Sequence, residues 1–272
     1  MTHFNLALLG FGNVGRALAR LLLCKESELK EEYSLTFAVT GIATGRHGTL
    51  IDPNGIHLQS AIQTVEAGQS LNPEALSTIG ALEFIRQCGA DVLFENTPVN
   101  HQTGQPAIDH LKAALEGGMH AITANKGPVV HAYRELTELA ARVGRKFYFE
   151  AVVMDGAPIF SLFRTALPAA RLMSFNGILN STTNLILECM ESGESFDDAV
   201  KYTQAVGLAE TDPSADIDGW DAAIKVAALV TVLMGVPFKP QEVERTGIRG
   251  ITPRMVAEAK AAGKRWKLGC SA

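Results

Sequence analysis

The first half of the chain alternates short apolar runs with longer stretches in which apolar residues recur at helical spacing. Short apolar runs between turn residues predict buried strands, and a period of about 3.6 residues predicts amphipathic helices. On this basis strands are predicted at 5–10, 35–43, 91–95 and 119–124, with helices after the first and the third. Strands that alternate with helices in this way are typical of an α/β fold with a doubly wound parallel sheet.

Two polar stretches interrupt this alternation. Residues 25–32 are highly charged, which predicts the solvated end of the first helix. Residues 49–75 predict a loop-rich insertion, in which Asp52-Pro-Asn-Gly55 is typical of a turn.

The pattern changes after Gly144. Strands are predicted at 146–154 and 171–180, and helices at 158–167, 181–191, 196–206 and 220–234. The last of these helices is too apolar to be a solvated surface helix. We therefore predict a Rossmann-type nucleotide-binding domain over residues 1–145 and a second α/β domain over 146–272 that covers the cofactor crevice.

Composition narrows the class of protein. Hydrophobic residues make up 47% of the chain, charged residues 19%, and the formal net charge is -5, so no basic surface for nucleic acid is expected. The N-terminal residues are not typical of a signal peptide, and the longest apolar runs are too short for a membrane span. The cysteines are scattered and have no C-x-x-C spacing, so the sequence indicates neither a zinc site nor a disulfide framework. We expect a cytoplasmic protein without membrane or nucleic-acid partners.

A glycine-rich loop lies between the first strand and the first helix. It comprises Gly10, Phe11, Gly12, Asn13, Val14 and Gly15. In that context backbone N–H groups and the helix dipole face a pyrophosphate, so Gly10, Gly12, Asn13, Val14 and Gly15 are predicted to bind a dinucleotide. A glycine turn in some other α/β unit is the alternative.

The end of the second strand bears on which dinucleotide binds. A classical NAD site has Asp or Glu here, to bind the ribose hydroxyls. This strand ends in Thr44-Gly-Arg46-His47. Arg46 is suited to a 2′-phosphate, which favours NADP over NAD; an exposed loop arginine without a role is the alternative.

Two further residues follow predicted strands of the sheet. Thr97 comes after the strand at 91–95 and Lys126 after the strand at 119–124. The carboxyl ends of parallel strands form the ligand crevice, so both residues are expected where a nicotinamide and its substrate meet. For Lys126, a loop lysine without a role is the alternative.

The most informative stretch of the second half combines acidic residues with one lysine. Asp221 and Lys225 are four residues apart on a predicted helix and therefore share one face, and Glu210 lies on the loop before it. A site for a cationic amine, a metal site and an ordinary surface ion pair are all compatible with this pattern. A calcium loop is excluded, because Asp216 and Asp218 at its third and fifth positions put Lys225 where the bidentate Glu must stand.

Together these stretches resemble homoserine dehydrogenases, and the resemblance covers nearly the whole chain. The motifs that carry it, in their order along the chain, are Gly10-Phe-Gly-Asn-Val-Gly15, Thr123-Ala-Asn-Lys126, Phe149-Glu-Ala-Val-Val153, Gly177-Ile-Leu-Asn-Ser-Thr-Thr-Asn184, Gly207-Leu-Ala-Glu-Thr-Asp-Pro213 and Asp218-Gly-Trp-Asp-Ala-Ala-Ile-Lys225. The first motif occurs in many dehydrogenases. The motif at 177–184, and the motif at 207–213 together with that at 218–225, are specific to this family.

The resemblance implies a reaction and a role for each site residue. Family members interconvert L-homoserine and L-aspartate 4-semialdehyde with NAD(P), on the route to threonine and methionine. Lys225 would be the proton donor for aldehyde reduction and the acceptor for alcohol oxidation. Asp221 and Glu210 would hold the substrate, and Lys126 would be a second active-site lysine. An ammonium group suits this chemistry because hydride transfer to an aldehyde leaves a developing alkoxide.

The resemblance also implies a cation, an assembly and a longer chain. Glu150, Val153, Asp155 and Ala157 align with a segment that binds a structural monovalent cation such as Na⁺, although the glycine-rich stretch usual there is replaced by Val153-Met-Asp-Gly156. A homodimer through the second domain is implied as well. The family continues beyond Ala272 with a Gly-Ala-rich segment, so this chain is expected to be a shortened form.

Two other functions are compatible with the sequence. One is a non-catalytic dinucleotide-binding relative that lost its activity with the C-terminal segment. The presence of Glu210, Asp221 and Lys225 argues against it, since an abandoned site need not keep all three. The other is an oxidoreductase for a different aldehyde derived from an amino acid.

Overall fold

The structure, a computed structural model, describes residues 1–73 and 79–272. The chain forms two compact units, Met1–Val152 and Val153–Ala272.

The first unit is built on one twisted sheet. Its strands in the described residues are β1 (Thr2–Leu9), β2 (Leu35–Thr44), β3 (Gly48–Ile51), β4 (Val92–Glu95), β5 (His120–Thr123) and β6 (Phe147–Tyr148). Their order is β3-β2-β1-β4-β5-β6, and all neighbours are parallel except the edge pair β2–β3. The strand order reverses between β1 and β4, where Rossmann-type folds bind their dinucleotide.

Helices cover both faces of this sheet. They are α1 (Asn13–Tyr33), α2 (Leu58–Glu66), α3 (Ala81–Gln87), α4 (Ala107–Glu116) and α5 (Lys126–Arg142), followed by a short 3₁₀ turn at Glu150–Val152. Successive side chains of β1 point to opposite faces, so Leu6 and Leu8 pack into one buried cluster and Ala7 and Leu9 into the other. A parallel sheet that is buried on both sides explains why its strands are continuous apolar runs.

The predicted α/β fold is confirmed, and so is the extension of α1 through the polar residues 25–32. The predicted loop-rich insertion at 49–75 is wrong in part, because this segment contains the end of β3 and all of α2. Its residues 74–75 lie outside the described part of the chain. Leu58, Ala61, Ile62 and Val65 are buried at helical spacing, a pattern that predicts α2. The turn after Asp52 is confirmed, with Gly55 donating its N–H to the Asp52 carbonyl at 3.1 Å.

The second unit is mostly helical. Its helices are α6 (Ile159–Ser161), which continues as a π-helix over Leu162–Ala166, α7 (Ser181–Glu191), α8 (Phe196–Ala205), α9 (Ser214–Ile217), α10 (Trp220–Leu229), which continues as a π-helix over Val230–Met234, and α11 (Pro253–Ala261), with a 3₁₀ turn at Pro240–Glu242. Two short strands, β7 (Asn176–Gly177) and β8 (Cys270–Ser271), pair antiparallel. In the described residues no helix is both long and apolar enough to cross a membrane.

Two predicted strands are much shorter in the structure. The strand at 171–180 is reduced to β7, and the strand at 146–154 is reduced to β6. Phe147 of β6 pairs with Ala121 of β5, so this strand completes the first sheet instead of starting a second. The boundary between the units therefore falls after Val152 and not after residue 145.

The predicted helices at 181–191, 196–206 and 220–234 are confirmed within one or two residues at their ends. Helix α7 is capped by the residue that precedes it. Asn180 is the N-cap, and its side-chain oxygen accepts a hydrogen bond from the Thr183 N–H at 2.8 Å.

Gly41 of β2 provides a test of this packing. A methyl group at Gly41 would lie 2.8 Å from the ring of Phe84 and 2.8 Å from the Cβ of Cys88. We expect Gly41→Ala to lower the free energy of unfolding by about 1–3 kcal/mol, the usual cost of overpacking a core. Urea unfolding measures this cost. Gly45→Ala is the control, because a methyl group there meets no atom within 4 Å, and an equal loss in both variants would contradict the packing.

Candidate active site

The glycine loop after β1 is held by close backbone contacts. A Cβ at Gly10 would lie 2.4 Å from the carbonyl oxygen of Asn96, and Gly10 has a φ of 94°. A Cβ at Gly15 would lie 2.4 Å from the carbonyl oxygen of Gly10, whereas one at Gly12 meets nothing within 4 Å. Gly10 and Gly15 thus allow the tight turn and the close approach of α1, and Gly12 leaves its backbone open to a pyrophosphate.

The N-terminus of α1 follows directly on this loop. The N-cap is Gly12, which has no side chain to satisfy the first helical N–H groups. Val14 is exposed, and the carboxamide oxygen of Asn13 accepts a hydrogen bond from Arg16 at 2.9 Å. Unsatisfied N–H groups and the helix dipole make this a favourable place for an anion.

Arg46 lies at the same edge of the sheet. It is exposed in the turn between β2 and β3, two residues beyond the end of β2. The β2 strand runs parallel to β1, and the N–H of Gly10 donates to the Ala43 carbonyl at 2.9 Å. The arginine therefore follows the strand that directly neighbours the glycine loop.

A buried carboxylate stands at the end of β4, and the sequence prediction missed it. The Glu95 side chain is 0% exposed. It accepts hydrogen bonds from the N–H and hydroxyl of Thr97 and, at 2.8 Å, from the hydroxyl of Thr123. His110 lies nearby, with Nδ1 3.8 Å from the carboxylate. A carboxylate buried this deeply is stable only with such partners, so Glu95 fixes the loop that carries Thr97.

Asn125 joins that loop to the start of α5. Its side-chain N–H₂ donates to the Thr97 carbonyl at 3.2 Å, and its oxygen accepts from the Gly127 N–H at 3.0 Å as the cap of α5. Lys126 is the first residue of this helix and is half-buried. Asn125 thus links the loop that carries Thr97 to the helix that begins at Lys126. Glu95 could have been identified from the sequence, because it is a charged residue at the end of an otherwise apolar strand.

The second unit contains the predicted ion pair. Lys225 Nζ lies 2.8 Å from Asp221 Oδ2, and the two side chains are 16% and 15% exposed. The ammonium group also donates to the carbonyl of Leu179 at 2.8 Å. Helix α10 is buried along most of its length, so this pair is not a solvated surface pair.

A cavity of about 440 Å³ lies beside Lys225. It is lined by Val153, Met154, Asp155, Ile178, Leu179, Asn180, Ser181, Asn184 and Lys225. Small-molecule sites in proteins are commonly about 300–1,000 Å³, so the cavity is large enough for a substrate of amino-acid size.

The structure does not bring Glu210 to this pair. Glu210 is exposed, and among the described residues its contact is a backbone one, its carbonyl accepting from Gln204 at 3.2 Å. Asp216 is the carboxylate that comes close instead. The amide of Asn180 donates to Asp216 at 2.6 Å and to Asp221 at 3.0 Å.

The residues predicted for a monovalent cation lie on both sides of the unit boundary. Glu150 is half-buried in the 3₁₀ turn of the first unit; in the second, Val153 is buried, Asp155 exposed and Ala157 half-buried. Within the described ranges, no three His, Cys, Asp or Glu side chains come together as a metal site. A cation held partly by backbone carbonyls does not require such a cluster, and it stays a prediction.

Comparison with known proteins gives the family. A family model described as "Homoserine dehydrogenase, NAD binding domain" matches residues 10–150, and one described as "Homoserine dehydrogenase" matches 158–272. The chain belongs to the homoserine dehydrogenase family. Its members are NAD(P)-dependent oxidoreductases.

Individual relatives agree with this assignment. The NAD(+)-dependent homoserine dehydrogenase of Pseudomonas canavaninivorans is 35% identical over 98% of this chain and 77% of its own length. The homoserine dehydrogenase of Methanocaldococcus jannaschii is 38% identical over 97% of this chain and 79% of its own length. A hyperthermophilic archaeal homoserine dehydrogenase solved with NADPH superposes with a TM-score of 0.78 at 30% identity, over 92% of this chain and 75% of that one.

Glu95→Gln tests the buried network. The two oxygens of Glu95 together accept three hydrogen bonds, and the amide replaces one of these oxygens with a donor. At least one accepted bond is then lost, so we expect the free energy of unfolding to fall by about 1–3 kcal/mol. Chemical denaturation measures the loss. Glu83→Gln on the exposed face of α3 is the matched control and should stay within about 0.5 kcal/mol of the parent. Equal stability of the two variants would show that Glu95 does not hold these loops.

Proposed function

We propose that this chain catalyses the reversible, NAD(P)-dependent interconversion of L-homoserine and L-aspartate 4-semialdehyde. The observation that carries the proposal is the Asp221–Lys225 pair on the wall of a cavity, in a member of the homoserine dehydrogenase family. An ammonium group that is largely withdrawn from water is suited to stabilising a developing negative charge.

The first unit would hold the cofactor. The backbone at Gly12 and the first turn of α1, with Asn13 and Val14, would bind the pyrophosphate, and Thr97 would lie at the nicotinamide end. When bound, the reduced nicotinamide supplies a hydride to the aldehyde carbon. Close packing at Gly10 and Gly15 keeps the loop in the shape that this binding needs.

Lys225 would move the proton. In the reducing direction its ammonium gives a proton to the aldehyde oxygen as that oxygen gains charge, which leaves a neutral amine and an alcohol. In the oxidising direction the neutral amine would take the hydroxyl proton while the carbon gives its hydride to the oxidised nicotinamide. Asp221 and the Leu179 carbonyl fix the position of Nζ between turnovers. General acid–base catalysis of this kind contributes about 10²–10⁴-fold to the rate.

Other residues would hold the substrate. We assign Asp221 and Glu210 to the substrate, with a carboxylate near its ammonium group, and Lys126 to the active site as a second lysine. Glu210 is exposed, so this role requires its loop to approach the bound substrate. Charge complementarity supports the assignment, since an amino-acid substrate carries a cationic amine.

Arg46 favours NADP over NAD. Its guanidinium is exposed beyond the end of β2, where a 2′-phosphate is recognised in this fold. Relatives of both kinds are known, one named NAD(+)-dependent and one solved with NADPH, so the family alone does not decide the preference.

Four further proposals rest on the family resemblance. They are a monovalent cation such as Na⁺ near residues 150–157, a homodimer, a cytoplasmic location, and a place in threonine and methionine biosynthesis. The exposed apolar side chains Leu162, Leu167 and Met173 of the second unit support the homodimer.

Substitution of Lys225 tests the reaction. We expect Lys225→Ala to lower kcat for L-aspartate 4-semialdehyde by about 10²–10⁴-fold, because the proton donor is lost. NADPH oxidation followed by absorbance gives the rate, and fluorescence titration gives NADPH binding, which should not change. Lys201→Ala on the exposed face of α8 is the control. NADPH binding without turnover in the parent chain would support the non-catalytic alternative. Turnover of a different aldehyde alone would support an oxidoreductase for another aldehyde derived from an amino acid.

Substitution of Arg46 tests cofactor selection. Arg46→Ala should raise KM for NADPH by roughly 10- to 150-fold, since a hydrogen bond to a charged group is worth about 1.5–3 kcal/mol. KM for NADH should stay within about twofold, because NADH has no 2′-phosphate. Parallel steady-state assays with the two cofactors measure this. An equal change for both, or none for either, would remove Arg46 from the cofactor site.

A further inference from the structure

Asn180 uses its whole hydrogen-bonding capacity inside the second unit. Asn180 is buried, with only 4% of its surface exposed. Its N–H₂ donates to Asp216 and Asp221, and its oxygen accepts from the N–H and the hydroxyl of Thr183, both at 2.8 Å. A carboxamide offers two donor hydrogens and two acceptor sites, so none of its capacity is left for solvent.

The donor side of this amide faces two carboxylates. Asp216 on α9 and Asp221 on α10 lie 2.6 Å and 3.0 Å from the same nitrogen. Two carboxylates this close repel one another unless a donor stands between them. Asp221 Oδ2 accepts both from Asn180 and, at 2.8 Å, from Lys225, so the amide and the ammonium share one oxygen.

The backbone beside Asn180 completes the arrangement. The carbonyl of the preceding residue, Leu179, is the second acceptor of Lys225 Nζ. Leu179 therefore contacts Lys225 through its main-chain carbonyl, and Asn180 contacts Asp221 through its side chain. Helix α7 anchors these two residues, because the oxygen of Asn180 caps it.

From this we infer that Asn180 is a positioning residue for Lys225: its amide holds Asp216 and Asp221 together and so fixes the carboxylate that orients the ammonium. The inference rests on the proposed function only for its kinetic consequence. Among the described residues, Asp155 lines the same cavity as Lys225, and Cys270 on β8 lies close enough to interact with its charge. Burial raises the pKa of the Cys270 thiol, and a hydrogen bond with the Leu179 backbone, followed by the neighbouring Lys225 ammonium, partly offsets this rise.

Two substitutions separate positioning from helix capping. Asn180→Ser keeps a good N-cap acceptor but has no amide to bridge the two carboxylates. Asn180→Asp keeps the size and the cap of the parent side chain but replaces the donor with a third carboxylate. Ser195→Ala is the control, because Ser195 caps α8 through the Asp198 N–H, and its loss weakens a helix cap in the same unit.

The first readout is independent of activity. Each variant is labelled with an amine-reactive ester, and the labelling rate of Lys225 is measured by peptide mass spectrometry relative to that of exposed Lys201. We expect Lys225 to react several-fold faster in Asn180→Ser than in the parent chain and the control, since its carboxylate partner is no longer fixed. An unchanged rate in Asn180→Ser overturns the inference, even if the parent chain shows no dehydrogenase activity.

The second readout applies if the proposed reaction is found. Both Asn180 variants should lower kcat by roughly 10- to 100-fold, the cost of misplacing a reacting group, and leave KM for NADPH unchanged. Ser195→Ala should change neither value. A parallel loss in Ser195→Ala, or a variant kcat equal to that of the parent, would show that Asn180 serves only as a helix cap.

Discussion

A lysine ammonium that is largely withdrawn from water must be surrounded by acceptors, and this requirement organises the second unit. Lys225 meets it with Asp221 one helical turn away and with the carbonyl of Leu179. Removing one partner from such a pair leaves an uncompensated charge, which typically costs several kcal/mol. The start of α7, helix α9 and helix α10 are therefore joined at one point, where the candidate chemistry lies.

The first unit shows a comparable constraint in its backbone. The loop after β1 and the loop after β4 approach so closely that only glycine fits at position 10. The buried Glu95 holds this same loop after β4 by accepting a hydrogen bond from Thr97. It also accepts a hydrogen bond from Thr123, which connects the loop to β5. Rigid sheet edges with fixed loops are a preorganised surface for a dinucleotide, and they spare the ordering cost that a mobile loop would add on binding.

Much of this was predictable from the sequence, for identifiable reasons. Buried parallel strands are continuous apolar runs, and a glycine loop between strand and helix has a specific context, so β1, β2, β4, β5 and the start of α1 were predicted. The four-residue spacing of Asp221 and Lys225 predicted that they share one helix face, and the structure shows them as an ion pair.

The errors arose where tertiary contacts decide. Strand β6 continues the first sheet only because β5 offers a free edge, which local sequence does not reveal. Asp221 accepts a hydrogen bond from Asn180, the N-cap of α7. The sequence predicts a cap at such a position, but it does not show that the amide also donates to two carboxylates. Glu210 stays a prediction that rests on the family resemblance. The contact of Asp216 with Asn180 was not predicted, because it depends on the path of the acidic loop.

The central claim is that Lys225 exchanges a proton with the substrate oxygen, and a crystal structure with L-homoserine and an oxidised cofactor tests it most directly. The account predicts the homoserine hydroxyl within about 3.2 Å of Lys225 Nζ, the reach of a proton transfer, with the pyrophosphate on the backbone of Gly12. Homoserine bound away from Lys225, with Nζ still bonded only to Asp221 and Leu179, would contradict it.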